Sequence, residues 1–255
     1  QAEGERGWSN LKTPECPSIR PKNVRIQHPA RRGVLSPAAF PDARNRAWDA
    51  ATGSGQAARG LASVFGEVIA TDASAGQIRH ARPCRGVRYH VAPSEHVPIE
   101  NHTVDLTLAA QALHWFDFDA FFGEVRRVSR PRGVFAAVCY GLFRCEPELD
   151  GLIDHFYSGV LGDFWPAERR FIDERYRTIP FPFDEIATPA FEMTARWSLD
   201  HLLGYLGTWS AVGRARKRTG EDPLESLKPD LRKLWPEPLE FRQIVWPLVV
   251  RTGRI

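Results

Sequence analysis

The stretch DAATGSGQ, Asp49 to Gln56, joins a short apolar run to a helical pattern and turns on glycines. Gly53 and Gly55, followed by Ala58, satisfy the spacing G-x-G-x-x-G/A. In that arrangement a strand, a glycine turn and a helix N-terminus offer free backbone N–H groups and the positive end of a helix dipole. Three uses stay open at this point: holding a dinucleotide, holding another adenosine-bearing cofactor, or only turning a strand into a helix. Asp72 follows Gly55 by 17 residues, at the end of a second apolar run. A carboxylate there suits the two hydroxyls of a ribose, which supports an adenosine ligand without choosing one.

Asp49 helps to choose. A dinucleotide site wants an unobstructed helix N-terminus for its pyrophosphate, and an acid at the end of the first strand works against that anion. S-adenosylmethionine brings an α-ammonium and a sulfonium, for which a nearby acid is favourable.

These residues need elements to position them. AWDAATG reads as a short strand and QAARGLASVFG as a helix with Ala58, Leu61, Ala62 and Phe65 on one face. EVIATD is a second strand, SAGQIRHAR a helix with Ser74 as N-cap, VRYHVAP a third strand and TVDLTLAAQ a fourth. DAFFGEVRRVSR is a helix and PRGVFAAVCY a fifth strand. Strand and helix thus alternate five times, the pattern of βαβ units with right-handed crossovers. Past Gly141, helical stretches are expected near 148 to 160, 167 to 177, 198 to 211 and 223 to 235, as a cap. FEMTARW and FRQIVWPLVV suit a late antiparallel pair. Residues 1 to 45, rich in Pro, Arg, Gly and Asn, show no period and read as an irregular segment. The expected fold is α/β, a Rossmann-like doubly wound, mostly parallel seven-stranded sheet with a helical cap. The cofactor core spans 46–141, the cap and edge strand 142–240, and the final strand 241–255.

Composition narrows the class of partner. A formal charge of +3 over 255 residues, with basic residues scattered, gives no reason to expect nucleic acid. The cluster Arg214, Arg216, Lys217 and Arg218 reads as a solvated helix face. Cys16, Cys84, Cys139 and Cys145 follow no zinc spacing and make no C-x-x-C pair, which suits a reducing cytoplasm and no metal. His80, His90 and His102 have no ligand spacing. No window approaches the ~18 to 20 apolar residues of a membrane span, and the first thirty residues hold no signal-like apolar run.

Taken together, DAATGSG, VIATDAS and VAPSEHVPIENHTVDLTLAAQALHWFD resemble the motifs of class I S-adenosylmethionine-dependent methyltransferases. AQALHWFD and WSLDHLLGYLGTWSAV are similar to the small-molecule branch that includes trans-aconitate methyltransferases. Two departures stand out. Ala51 replaces the first glycine of D-x-G-x-G-x-G, and PARRGVLSPAAFPDARN stands where relatives carry an R-P-x-Y-P-like segment closing the cofactor pocket. The resemblance implies a cofactor site of Asp49, Ala51, Gly53, Gly55, Asp72, Ala73, Gln77, Ala92, Glu95, Ala110 and Gln111. Asp72 would bind the ribose, Ala73 would flank the adenine and Ala92 would cover its edge. Gln77 reads equally well as a surface helix residue, and Glu95 as a turn cap.

Methyl transfer from a sulfonium is an in-line displacement with a good leaving group, so positioning can supply much of the catalysis without a triad or a metal. His114, just past the fourth strand, is the candidate catalytic residue, to orient substrate or take a proton. It could equally pack with Trp115 and Phe116. Trp115, Tyr205 and Trp209 are candidate substrate-lining residues, with core packing as the plain alternative. Arg196 or Arg214 could hold a substrate carboxylate. The function expected is methyl transfer from S-adenosylmethionine to a small-molecule acceptor, with a carboxylate oxygen a plausible target. The alternatives are a catalytically impaired S-adenosylmethionine-binding protein and an NAD(P)-dependent oxidoreductase. The oligomeric state is not legible in the sequence.

Overall fold

The computed structural model describes residues 24–25 and 41–255, apart from Pro238. The rest of the N-terminal segment, including Cys16 and PARRGVLSPAAF of PARRGVLSPAAFPDARN, lies outside the described residues.

Five strands form the parallel half of one sheet: β2 (Arg46–Ala50), β3 (Glu67–Asp72), β4 (Val87–Val91), β5 (Val104–Ala110) and β6 (Ser129–Tyr140). They lie in the order β6-β5-β2-β3-β4, so the chain reverses direction of travel between β2 and β5. That reversal opens a crevice at the C-terminal strand ends, where ligands bind in open α/β sheets. β5 is buried from Val104 to Ala109, and β2 from Ala47 to Ala50. A strand covered on both faces has no reason to alternate polar with apolar, which is why these runs read as continuous.

Three helices cross between them: α1 (Gln56–Leu61), α2 (Ala75–Arg79) and α3 (Phe118–Val128). Asp117 caps α3 by accepting a hydrogen bond from the Ala120 amide at 3.1 Å. The buried face of α3, Phe121, Phe122, Val125 and Val128, packs with Trp48 and Phe135 beneath it. The opposite face of the sheet buries Ala58 and Leu61 of α1 against Val68, Leu106 and Ala136. Asp105 anchors the start of β2 by accepting from the amides of Asn45 and Arg46, at 2.7 and 2.9 Å.

The second half of the chain continues the same sheet antiparallel. β9 (Arg242–Arg254) inserts between β6 and β8 (Phe191–Trp197), with Tyr140 opposite Leu248 and Met193 opposite Trp246. The expected late pair is present, but its last strand is interior to the sheet. Two short strands have no sequence signal: β1 (Val24–Arg25) pairs with β8, and β7 (Asp184–Ile186) pairs with β9. The sheet among the described residues therefore has nine strands where seven are expected, the two additions being two and three residues long.

Helices α4 (Pro147–His155), α5 (Arg169–Asp173), α6 (Leu199–Gly207), α7 (Ser210–Thr219) and α8 (Leu224–Leu234) form the cap. Sequence periodicity merges the start of α7 with α6, and the rest of α7 is foreshadowed only by the reading of Arg214, Arg216, Lys217 and Arg218 as a solvated helix face. A left-handed Gly220 ends α7, and Trp197, Leu202, Val212, Leu231 and Trp246 pack into one cluster beneath the cap.

Gly55, at φ +77°, starts α1, and a Cβ there would lie 2.3 Å from the Tyr89 hydroxyl and 2.7 Å from its ring. Ala51 also has a left-handed backbone, at φ +52°, and carries a Cβ in a conformation that costs ~1 kcal/mol or more. Gly55→Ala is expected to destabilise the cofactor-free protein by about 2 kcal/mol or more, since strain and overpacking add. Ala51→Gly is expected to stabilise it by about 0.5 kcal/mol, because strain relief of ~1 kcal/mol is partly offset by greater unfolded-chain entropy. Denaturant melts of the two variants check both signs.

Candidate active site

The strand registers set the rim residues side by side. Ala50 lies opposite Thr71 on one side and Ala109 on the other, and Ala110 lies opposite Val138. The segments following β3, β2, β5 and β6 therefore emerge in that order along one edge.

Asp72 ties this edge together. One carboxylate oxygen accepts from the Gly53 amide and the other from the Ser74 amide, each at 2.8 Å. Its carbonyl accepts from Ala92 at 3.0 Å, bringing in the segment after β4. Each carboxylate oxygen retains acceptor capacity for a further donor. Ser74 caps α2 by accepting from Gln77, whose side-chain oxygen lies 4.0 Å from where a Cβ on Gly53 would stand. Ala73 is exposed, Ala92 is buried and Glu95 is half-buried. Glu95 accepts from the Asp117 amide at 3.2 Å, so this side chain is engaged with the start of α3.

Asp49 is not the open charge that its sequence position implies. It is 1% exposed, accepts from the Thr52 hydroxyl, and its other oxygen is buried without a hydrogen-bond partner among the described residues. Burial pushes its carboxyl up to about 7, against the opposing pull of Thr52. The group is poised between charge states, and an ionised Asp49 calls for a cation to satisfy it.

At the end of β5, Gln111 takes a left-handed turn at φ +56°. Its side-chain amide donates to the Tyr140 carbonyl at 3.1 Å and accepts from the Tyr140 amide at 3.0 Å, extending the β5–β6 ladder by one side chain.

Gln111 and Tyr140 also open a cavity of about 190 Å³. Its aromatic wall comprises Tyr140, Trp165, Tyr205 and Trp209, and its polar groups are Gln111, Thr208, Ser210 and Arg169, with Gly141 and Leu142 completing it. Tyr205 and Trp209 thus meet Gln111, although about a hundred residues of chain separate them. The cavity contains no carboxylate, imidazole or amine among the described residues, and Arg169 is the one charge.

Arg169 is the residue that sequence reasoning missed. Arg196 and Arg214, chosen by residue type, are exposed and do not line the cavity. Nothing linear connects Arg169 with Gln111; only its spacing of four from Trp165 hinted at a shared face. Its guanidinium lies over the rings of Trp165 and Tyr157, at 4.8 and 5.2 Å from their centroids.

His114 lies in a short 3₁₀ turn, Leu113–Trp115, and is 5% exposed. Its Nδ1 is 2.8 Å from the hydroxyl of Tyr176, a fully buried residue, and neither residue lines the cavity. Burial, assisted by the positive charge of Arg169, pushes the imidazole down to about 4. Its neighbour Trp115 is 55% exposed and packs against it with the rings tilted, 4.8 Å apart between centroids, also outside the cavity. Burial likewise pushes the Cys139 thiol up to about 12, which makes it inert near neutral pH.

Comparison with known proteins adds to this geometry. A family profile described as "Methyltransferase domain" matches residues 48–137. The chain is 31% identical over 195 residues, 75% of its length, to the "Putative methyltransferase" of Dictyostelium discoideum, covering 74% of that protein. It is 33% identical over 96 residues to the "Malonyl-[acyl-carrier protein] O-methyltransferase" of Dechloromonas aromatica, 36% of each chain. Among solved structures, the "Putative Type II Methyltransferase" from Anaeromyxobacter dehalogenans superposes with a TM-score of 0.80 at 48% identity, over 85% of this chain and 92% of that one.

A depressed imidazole has a definite pH signature. Because the folded value lies below the unfolded one, the stability contributed by neutral His114 is fully present above about pH 6.5 and is lost as the pH falls toward 4. Asp49 acts oppositely over an overlapping range, so bulk stability mixes the two. The direct check is an NMR titration of the His114 ring, whose shifts are expected to stay constant from pH 8 down to 5.5. An inflection near 6.5 would mean the ring is open to solvent.

Proposed function

The chain belongs to the class I S-adenosylmethionine-dependent methyltransferases, and we propose that it methylates a carboxylate oxygen of a small molecule. We assign it to the small-molecule branch similar to trans-aconitate methyltransferases, a reading supported by AQALHWFD and WSLDHLLGYLGTWSAV. The observation that carries the proposal is the cavity next to the cofactor edge, with a cation and no base in its wall among the described residues. An alcohol must give up a proton as it attacks, and an ammonium must give one up before it can attack, so either calls for a group to receive it. A carboxylate is already a nucleophile at neutral pH.

S-adenosylmethionine supplies an electrophilic methyl group on a sulfonium. In the overall step one carboxylate oxygen forms a bond to that carbon while the S–C bond breaks, its electron pair staying on sulfur. An anion and a cation become a neutral ester and a thioether, and no proton moves. The chain's own task is then to bind, align and exclude water.

For the cofactor we assign Asp49, Ala51, Gly53, Gly55, Asp72, Ala73, Gln77, Ala92, Glu95, Ala110 and Gln111. Two features fit this group. The unpartnered oxygen of Asp49 suits an ammonium, and the spare acceptor capacity of Asp72 suits ribose hydroxyls. Tyr205 and Trp209 hold the acceptor. Trp115, exposed near the same strand end, is assigned to covering substrate or adenine rather than to the core. His114 is assigned a positioning role through Tyr176, because a buried imidazole depressed to about 4 is a poor proton acceptor for this chemistry. No helix among the described residues is long and apolar enough to cross a membrane. The described cysteines are free, which supports a cytoplasmic setting.

Calorimetry is expected to show binding of S-adenosylmethionine and S-adenosylhomocysteine and none of NAD. Asp72→Ala should weaken both by roughly 100-fold, since two charge-assisted hydrogen bonds are lost. Labelled S-adenosylmethionine presented with small carboxylic acids should yield base-labile esters. Cofactor binding without transfer to any acid, phenol or amine would instead favour a binding protein that has lost catalysis.

Asp49 supplies a separate test. Binding an ammonium requires the ionised form of Asp49, so cofactor affinity should fall as the pH is lowered below about 7, by up to ~10-fold per unit. Asp49→Asn should bind weakly and lose that slope.

A further inference from the structure

We infer that the acceptor is a monoanionic acid with a flat apolar body, selected by Arg169, with Tyr157 and Asp173 as its positioning residues. This inference rests on the carboxylate reading above and specifies which carboxylates fit.

The charge inventory supports one anionic group and no more. Arg169 is the single charged residue lining the cavity among the described residues. A second carboxylate on the ligand would find no second cation there, only the neutral groups of Gln111, Thr208 and Ser210, and a partly desolvated charge without a countercharge is costly. The wall itself is built for a flat apolar body. Trp165 and Trp209 are 5.6 Å apart between centroids, and Tyr205 stands edge-on to Trp209 at 6.0 Å. The cavity, at about 190 Å³, is below the ~300 to 1,000 Å³ of drug-sized sites, so the ligand is small.

Arg169 is held so that one side of its fork is engaged and the other is available. Its Nε donates to the Tyr157 hydroxyl at 2.6 Å, and that hydroxyl donates to Asp173 at 2.7 Å. Asp173 also lies 3.6 Å from Nε, but it is half-exposed and does not line the cavity, so its charge is screened by solvent. The two terminal nitrogens of Arg169 donate to no group among the described residues, while its side chain is only 18% exposed. The stacking of its guanidinium on Trp165 and Tyr157 fixes the plane. A pre-oriented guanidinium with unused donors in an apolar wall is a carboxylate site.

The reaction removes the charge that Arg169 recognises. One acceptor oxygen bonds to the guanidinium while the other attacks, and the resulting ester is neutral. The interaction is strongest with the acid and weakens as the methyl arrives, so it contributes to binding and not to the chemical step. The same change favours release of the ester.

The experiment is a substrate panel on the full chain, with the wild type, Arg169→Gln, Arg169→Lys and Tyr157→Phe. The panel comprises benzoate and cinnamate, the polyanions succinate and trans-aconitate, and the neutral or cationic benzyl alcohol and benzylamine. S-adenosylhomocysteine calorimetry on each variant establishes that it is folded. The flat monoacids should be the preferred acceptors. Arg169→Gln should raise their KM by about 10- to 100-fold with kcat changed by less than threefold. Lys at 169 should recover part of that loss, and Tyr157→Phe should raise KM by a smaller factor with kcat again unchanged. A merely structural Arg169 would lower kcat and cofactor binding together, which would overturn the assignment. Polyanions outperforming the monoacids would overturn the single-anion inference while leaving carboxylate methylation standing. If the amine or alcohol were methylated and no acid were, the carboxylate reading itself would fall.

Discussion

The carboxylate of Asp72, accepting from the amides of Gly53 and Ser74, is the contact on which the cofactor edge depends. Strand ends in a parallel sheet run out into loops that have no ladder to hold them, and the loop after β2 turns through three left-handed residues, Ala51, Gly53 and Gly55, of which Ala51 carries a steric cost. Asp72 fixes that loop from the neighbouring strand, and its own carbonyl fixes the segment after β4. A charge-assisted hydrogen bond to a backbone amide is a strong one by protein standards. The same side chain can therefore shape the edge in the absence of ligand and still present acceptor capacity to it.

Electrostatics divide this edge into two regions of opposite character. On the β2–β3 side the groups are acids, with Asp49 buried and poised near neutrality and Asp72 braced by amides. On the β5–β6 side the one charge lining the cavity among the described residues is Arg169, surrounded by indole and phenol rings. On the proposed reading, a positively charged donor and a negatively charged acceptor are each met by a countercharge. The buried imidazole between Arg169 and Tyr176 stays neutral because adding a proton beside that guanidinium, away from water, is unfavourable on both counts.

The parallel half was legible in the sequence because its strands are short, apolar and punctuated by glycine and acid, and AWDAATG, EVIATD and TVDLTLAAQ each appear as β-strands near their expected bounds. The two shortest strands were not legible, since two or three residues cannot carry a period. The bounds of α7 were hidden because it is mostly polar, burying only Ala211, Val212 and Ala215, so that only its basic face could be read as helical. Asp72 could be read from its place after a strand, where position implies geometry. Asp49 could be identified but its state could not, since the sequence shows an acid and only packing shows that it is almost completely enclosed. Arg169 had no such cue: its partners Tyr157, Trp165 and Gln111 come from three separate segments, and a cavity is a property of their convergence. Choosing arginines by type selected two on the solvent side instead.

The insertion of β9 between β6 and β8 joins the cap to the sheet as one continuous hydrogen-bonded surface, while the division of labour along the chain stays sharp. Residues assigned to the cofactor fall between 49 and 111, and most of the acceptor cavity falls between 140 and 210. Gln111 is the one side chain the two sets share. Such an arrangement lets selection act on the two halves separately: mutations after β6 can retune which molecule is recognised while the donor-binding half is inherited unchanged. Lineages built on this scaffold can diversify in what they modify without reinventing how they hold the reagent.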